Sequence, residues 1–183
     1  MIYSSPNNLW SGKILVRTNN LKIKCQKIKV VLTDVDGVLT DGGLYYTSKG
    51  DIMKKFFVRD GMGVTLLRKQ QIPTIIITKE KTLQVKKWSK SMKIEKLFDG
   101  IINKESLLEK ICKDYSINPE NVAYIGDDVN DINLLKKVGL SVAPNDGLPQ
   151  VKKIVDYVTL SKGGRGVFRE LAEMLLKYSK KND

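Results

Sequence analysis

The sequence predicts an α/β fold, a doubly wound parallel sheet with helices on both faces, an inserted β-hairpin and no separate cap domain. Three observations predict it. Short apolar runs alternate with longer amphipathic stretches from Val30 onward, the rhythm of right-handed β-α-β crossovers. The runs are apolar throughout rather than at every second residue, as strands buried on both faces are. The 183 residues make one ordinary domain, with no internal repeat and no second core.

Taken in order, Met1 to about Lys24 is polar and mixed, with Pro6 and two Asn pairs, and reads as an extension (1–24) before a single domain (25–183). Within the extension, Lys13 to Arg17 has the composition of an edge strand. Val30-Val31-Leu32 is the first buried strand and heads into Asp34. Leu44–Thr47 and Ile52–Val58 flank Ser48-Lys49-Gly50-Asp51, a hairpin with a Gly-containing turn. That hairpin, about 43–58, would cap the crevice or supply an oligomer contact. Asp60-Gly61 opens a helix to about Gln71, and Ile72–Ile77 is a strand ending in Thr78.

A Lys-rich amphipathic helix follows from Thr82 to about Met92, then the short strand Leu97-Phe98. Asn103-Lys104 leads into a helix with Leu107, Leu108 and Ile111 at helical spacing. Asn118-Pro119-Glu120 is a turn. Val122–Ile125 is a strand closed by Gly126-Asp127-Asp128, before a helix through Leu134 and Leu135. Leu140–Val142 and Tyr157–Thr159 are further short strands. Gly163-Gly164-Arg165-Gly166 precedes a final amphipathic helix from Val167 to about Tyr178.

Composition excludes several functions. Hydrophobic residues make up 42% of the chain, a globular proportion. No apolar run approaches the ~20 residues that span a bilayer, and the N-terminus lacks a secretory h-region, so the expected location is the cytoplasm, with no membrane partner. Cys25 and Cys112 lie far apart without C-x-x-C spacing and suggest neither zinc nor a disulfide framework. The net charge of +12 invites a nucleic-acid reading. However, 27 of the 32 basic residues are lysines spread along the chain, which describes a solvated surface better than a nucleic-acid groove. Histidine is absent, which removes His triads, His-ligated metals and phosphohistidine intermediates.

The stretch VLTDVDGVLTDGG, Val31 to Gly43, concentrates the chemistry. Residues two apart on extended chain share a face, so Asp34 and Asp36 point into one crevice beyond the strand. Asp-rich turns and calcium loops are the plainer readings. Calcium fails on spacing, because an EF-hand needs glycine at its sixth loop position and glutamate at its twelfth, where this chain has Gly37 fourth and Tyr45 twelfth. Polar residues then recur at four successive strand ends: Asp34 with Asp36, Thr78, Lys104, and Asp127 with Asp128 and Asp131. Singly, Thr78 reads as a strand terminus, Lys104 as a surface lysine and Arg165 as a turn cap or subunit contact. Their convergence separates function from these. Converging carboxylates without His or Cys are hard oxygen ligands suited to magnesium. A hydroxyl and a lysine beside them suit a phosphate, and a unit pair at ~4 Å is worth about 4 kcal/mol at an effective dielectric of 20. The reaction class that fits is phosphoryl transfer.

DVDGVLTDG, Thr78, Lys104 and GDDVND resemble the four ordered motifs of the haloacid dehalogenase superfamily over about Ile28 to Tyr178. The resemblance implies a Rossmann-like fold in which Asp34 is the nucleophile, forming an aspartyl-phosphate, and Asp36 the acid-base. It further implies magnesium held by Asp34, the Asp36 carbonyl and Asp127, phosphate bound by Thr78 and Lys104, and Asp128 and Asp131 in support. FFVRDGMG, AYIGDD, VGLSVAP and GGRGVFRE resemble small capless members acting on phosphates of 2-keto-3-deoxy sugar acids. Those are typically homotetramers in which hairpins associate and a neighbour's tail completes the site. Arg59, Asp60, Gly61, Glu80 and Arg165 are the implied substrate contacts.

The subfamily signals divide. TKEKT, Thr78 to Thr82, looks like nonulosonate (N-acylneuraminate) 9-phosphate phosphatases and the related domain of acylneuraminate cytidylyltransferases. GGRG is at home in the 3-deoxy-D-manno-octulosonate 8-phosphate enzymes, which usually carry Gly-Arg where this chain has Lys79-Glu80. The reading leans to a nonulosonate. Its rival outside enzymology is an inactive tetramerisation module serving a CMP-sugar-acid synthetase.

Overall fold

The computed structural model describes residues 19–179, and the edge strand expected at Lys13–Arg17 lies outside them. Its strands are β1 (Val30–Thr33), β2 (Tyr45–Thr47), β3 (Gly50–Met53), β4 (Thr74–Ile77), β5 (Lys96–Phe98), β6 (Val122–Ile125), β7 (Leu140–Ala143) and β8 (Tyr157–Val158). Its helices are α1 (residues 19–27), α2 (Val58–Lys69), α3 (Leu83–Met92), α4 (Leu108–Tyr115), α5 (Ile132–Leu135), α6 (Pro149–Lys152) and α7 (Val167–Ser179).

Six strands form one sheet in the order β5-β4-β1-β6-β7-β8, and each neighbouring pair is parallel. β1 lies between β4 and β6, so the strand order reverses at the strand carrying Asp34, where open α/β sheets place their ligands. Both faces of β1 are buried because its residues alternate between two cores. Val30 and Leu32 pack with Ile75, Ile77, Tyr124, Ile111 and Leu134. Val31 packs on the other side with Ile76, Ile125, Leu67, Phe168 and Leu171. Continuous apolar strands thus reflect helices on both faces, as the sequence implied.

The helix boundaries have local causes. Phe57 is extended, so α2 begins at Val58, two residues before Asp60. Thr82 caps α3 by accepting a hydrogen bond from the Val85 N–H, and Lys93 in the left-handed conformation ends it. Lys104 opens a 3-10 turn, Lys104–Leu107, and α4 follows from Leu108.

Two helices were not read from sequence. Within α1 Cys25 is buried, Leu21 packs against the core, and Lys24 pairs with Asp156 at 2.5 Å, so the boundary expected at residue 24 falls inside a packed helix. α6 is a single turn led by Pro149. β2 and β3 form a separate two-stranded sheet directly after the β1 loop. Their stem is closed by an isolated bridge between Thr40 and Phe56, and Phe56 stacks on Trp88 of α3 with ring centroids 4.8 Å apart.

Candidate active site

The carboxyl ends of β1, β4 and β6 surround a crevice of about 320 Å³ lined by Asp34, Asp36, Thr78, Lys79, Glu80, Asp127 and Asp128. The chain reaches it with polar residues because a parallel strand's last carbonyls and side chains face the loops rather than the core. Asp34 follows β1, and its N–H donates to the Ile125 carbonyl at 3.0 Å, extending the β1–β6 ladder one residue into the site. Its Oδ1 accepts from the Val35 N–H at 2.7 Å.

Lys104, fully buried, bridges the acids. Its Nζ stands 2.8 Å from Asp34 Oδ2 and 2.7 Å from Asp131 Oδ1, so it is no surface lysine. Burial works against its charge, but the two carboxylates outweigh burial and raise its pKa. Asp131 is itself fully engaged. It accepts from Lys104, from the Tyr124 hydroxyl at 2.5 Å, and from the N–H groups of Asp127 and Asp128 at 2.9 and 3.2 Å. It therefore braces the loop after β6. Asp128 is exposed and caps the following 3-10 turn through the Val129 N–H.

Asp34, Asp127 and Asp131 each bring a carboxylate oxygen within 4.8 Å of the others. Burial, followed by the charge of Asp34, pushes the Asp127 carboxyl up to about 8, and burial pushes Asp34 up to about 7. Asp127 Oδ1 is buried and has no hydrogen-bond partner among the described residues. A buried acceptor left unpaired among like charges is costly. A divalent cation would supply its partner, so the donor set fits a hard metal ion. Gly37 makes room for it. A Cβ there would lie 2.0 Å from Asp127 Oδ2, and its φ of +82° favours glycine.

Thr78 is buried at the end of β4, and its hydroxyl accepts from the Glu80 N–H at 3.4 Å. Glu80 is exposed on the crevice rim. The remaining expected substrate contacts lie elsewhere. Asp60 is fully buried, and its two oxygens accept from the N–H groups of Arg169 at 2.9 Å and Gly166 at 3.2 Å, tying α2 to the start of α7. Gly61 is buried against Met92. Both are engaged within the fold and stand outside the crevice lining: an acid in the first turn of one helix serves the N-terminus of another. Arg59 and Arg165 are exposed and line a separate cavity of about 610 Å³ with Phe57, Tyr157 and Arg169, sharing no residue with the crevice.

Gly163 and Gly164 are packing glycines. A Cβ on Gly163 would sit 2.2 Å from the Gly37 carbonyl oxygen, one on Gly164 2.4 Å from the Asp41 nitrogen, and the Gly164 N–H donates to the Val38 carbonyl at 2.9 Å. The loop before α7 thus backs the loop that carries Asp36.

Haloacid dehalogenase-like hydrolases match the chain over residues 55–171. The 3-deoxy-D-manno-octulosonate 8-phosphate phosphatase KdsC of Escherichia coli K12 is 40% identical over 153 residues, covering 84% of this chain and 81% of that one. The chain belongs to the haloacid dehalogenase-like (HAD) hydrolases. Among solved HAD structures, the octulosonate phosphatase of Moraxella catarrhalis, in complex with magnesium, phosphate and KDO, superposes with a TM-score of 0.85 at 34% identity, covering 87% of this chain and 92% of that one. The Yersinia pestis enzyme of the same name gives 0.86 at 34% identity, covering 88% and 87%. This chain is a HAD phosphatase of the KdsC group. Among the described residues no cap domain interrupts its HAD fold, and no helix is long and apolar enough to cross a membrane.

Lys54 was missed from sequence. It leaves the hairpin just after β3, and its buried Nζ stands 2.6 and 2.7 Å from the two oxygens of Asp36. Thr40 adds a hydroxyl donated to Asp36 Oδ1 at 3.1 Å. Nothing in the pair Lys54-Lys55 marks one lysine as buried; only the alternation of an extended segment sends them to opposite sides, Lys55 outward to Asp41 at 2.7 Å.

Proposed function

We propose that the protein hydrolyses 3-deoxy-D-manno-octulosonate 8-phosphate, a 2-keto-3-deoxy sugar acid phosphate, in a magnesium-dependent reaction through an aspartyl-phosphate on Asp34. The observation that carries the chemistry is the buried ammonium of Lys104 2.8 Å from Asp34, in a carboxylate cluster where Asp127 has an unpaired buried oxygen. Asp34, the Asp36 carbonyl and Asp127 would hold magnesium, which when bound neutralises charge on the phosphate oxygens. Lys104 and Thr78 would hold those oxygens from the strand ends. The octulosonate names of the relatives support this sugar acid over the nonulosonate toward which Lys79-Glu80 leans.

An oxygen of Asp34 bonds to phosphorus as the ester P–O bond breaks, and Asp36 gives its proton to the departing alkoxide. Asp36, now a carboxylate, takes a proton from water. The water oxygen bonds to phosphorus as the bond to Asp34 breaks, releasing inorganic phosphate and restoring the Asp34 carboxylate. Glu80 on the rim faces the sugar portion. The exposed apolar residues of the hairpin region, Leu44, Tyr45, Tyr46 and Met53, support association of copies, with a homotetramer as the expected state. A cytoplasmic location is part of the same proposal.

Phosphate release from octulosonate 8-phosphate and from N-acylneuraminate 9-phosphate, each with magnesium and with EDTA, tests the reading. Faster magnesium-dependent release from the octulosonate ester, abolished by Asp34→Asn, is expected. Preference for the neuraminate ester would overturn the substrate, and release by Asp34→Asn would overturn the mechanism.

A further inference from the structure

We propose that Lys54 is a positioning residue for the acid-base step, holding the Asp36 carboxyl group in the orientation from which it serves the leaving oxygen. The inference rests on the role given to Asp36 above and extends it to a residue outside the strand-end motifs. Two contacts define the orientation: the Lys54 ammonium faces both Asp36 oxygens at 2.6 and 2.7 Å, and the Thr40 hydroxyl reaches Oδ1 at 3.1 Å. An ammonium facing both oxygens fixes the direction in which the carboxyl group points, and a hydroxyl on one of the two oxygens fixes its rotation about that axis.

Stability alone does not explain this pair. Removing an ammonium from water costs several kcal/mol, on the order of what a partner returns, so apolar residues of similar volume serve a fold as well. Lys54 has no exposed side-chain surface, whereas Asp36 is about a quarter exposed, toward the crevice. The lysine is therefore spent on a carboxyl group that keeps one side open to the ligand space. Its backbone is anchored two residues later, where Phe56 bridges to Thr40 and stacks on Trp88. Lys55 makes an ion pair of similar length to Asp41 from the same segment, but exposed and away from Asp36, and so supplies an internal control.

The test compares kcat/KM, which covers steps through formation of the phosphoenzyme, on an alkyl phosphate ester and on p-nitrophenyl phosphate. The alkoxide of the first needs a proton as it leaves, and p-nitrophenolate does not. Lys54→Met is expected to lower kcat/KM on the alkyl ester by about 100-fold, the scale of a misplaced acid, and on the aryl ester by less than about threefold. Lys54→Arg recovers part of the loss, and Lys55→Met stays at wild-type values on both esters. Equal losses on the two esters, or none, would overturn the proposal. Melting curves identify a variant that fails to fold, in which case Lys54→Arg and Thr40→Val carry the comparison by the same ester ratio. Asp36→Asn separates the two readings: if it too lacks the ester selectivity, the acid role of Asp36 has failed, and if it shows the selectivity while Lys54→Met does not, the role of Lys54 has.

Discussion

Two buried lysines face the two aspartates of one D-x-D motif, and they arrive by different routes. Lys104 opens the 3-10 turn after β5 and stands 2.8 Å from Asp34, in a setting fixed by β1, β6 and the engaged carboxylate of Asp131. Lys54 comes from the end of a separate two-stranded hairpin and meets Asp36 at 2.6 Å. The surroundings of Asp34, the proposed nucleophile, are thus as rigid as the central sheet, while those of Asp36, the proposed acid-base group, are only as rigid as the hairpin stem. One motif holds two residues whose precision depends on different parts of the fold.

Breaking the sheet side should cost most. Lys104→Met removes a unit charge from beside Asp34 and the proposed phosphate position, a loss of about 4 kcal/mol at an effective dielectric of 20, or about 10³-fold in turnover. Steady-state rates on alkyl and aryl esters check this, and both should fall together. A loss confined to the alkyl ester would erase the distinction between the two lysines.

The same side carries a pH signature. In the folded protein without metal, Asp34 and Asp127 keep protons up to about 7 and about 8, whereas the ordinary value is 3.8. The folded state therefore binds more protons than the unfolded chain across that window. The contribution of these two groups to stability is fully present below about 3.8 and is lost as pH rises through about 7 and 8. Magnesium should displace the protons and restore stability above the window. Melting temperatures in EDTA and in magnesium on either side of the window measure both effects. Asp127→Asn should raise the metal-free melting temperature above the window and remove most of the magnesium response. A metal-free protein that gains stability with rising pH would contradict this account.

The hairpin side should yield a smaller, selective effect. Trp88→Ala removes the stack that seats Phe56, a contact worth about 1 kcal/mol, and should lower kcat/KM on the alkyl ester by up to about fivefold. The aryl ester should be nearly unaffected. Equal effects on both would mean that the hairpin stem supports the whole site.

The sheet strands were legible because strands buried on both faces are continuously apolar, and the crevice was legible because such strands end in it. Val30–Leu32 to Asp34 and Val122–Ile125 to Asp127 announce both at once. α1 was hidden because Leu21, Ile23 and Cys25 alternate as in a strand, although Leu21 and Cys25, one turn apart, are the pair that packs inward while Ile23 stays half exposed. α6 is too short for any period to show. Asp60 reads as a ligand contact or its own helix's first-turn acid, and only the packing of α2 against α7 reveals which backbone it serves. Lys54 was hidden for a related reason, since a hairpin's reach is set by its stem and not by the residues at its exit.

The seating of Gly163 and Gly164 against the backbone of Gly37 and Asp41 has a consequence for how activity emerges during synthesis. Asp34 and Asp36 are synthesised well before Gly163 and Gly164, the segment that braces their loop. A growing chain that has passed Asp131 but not Gly163 carries every acid of the cluster and still lacks the wall behind it, so competence waits on the loop before α7.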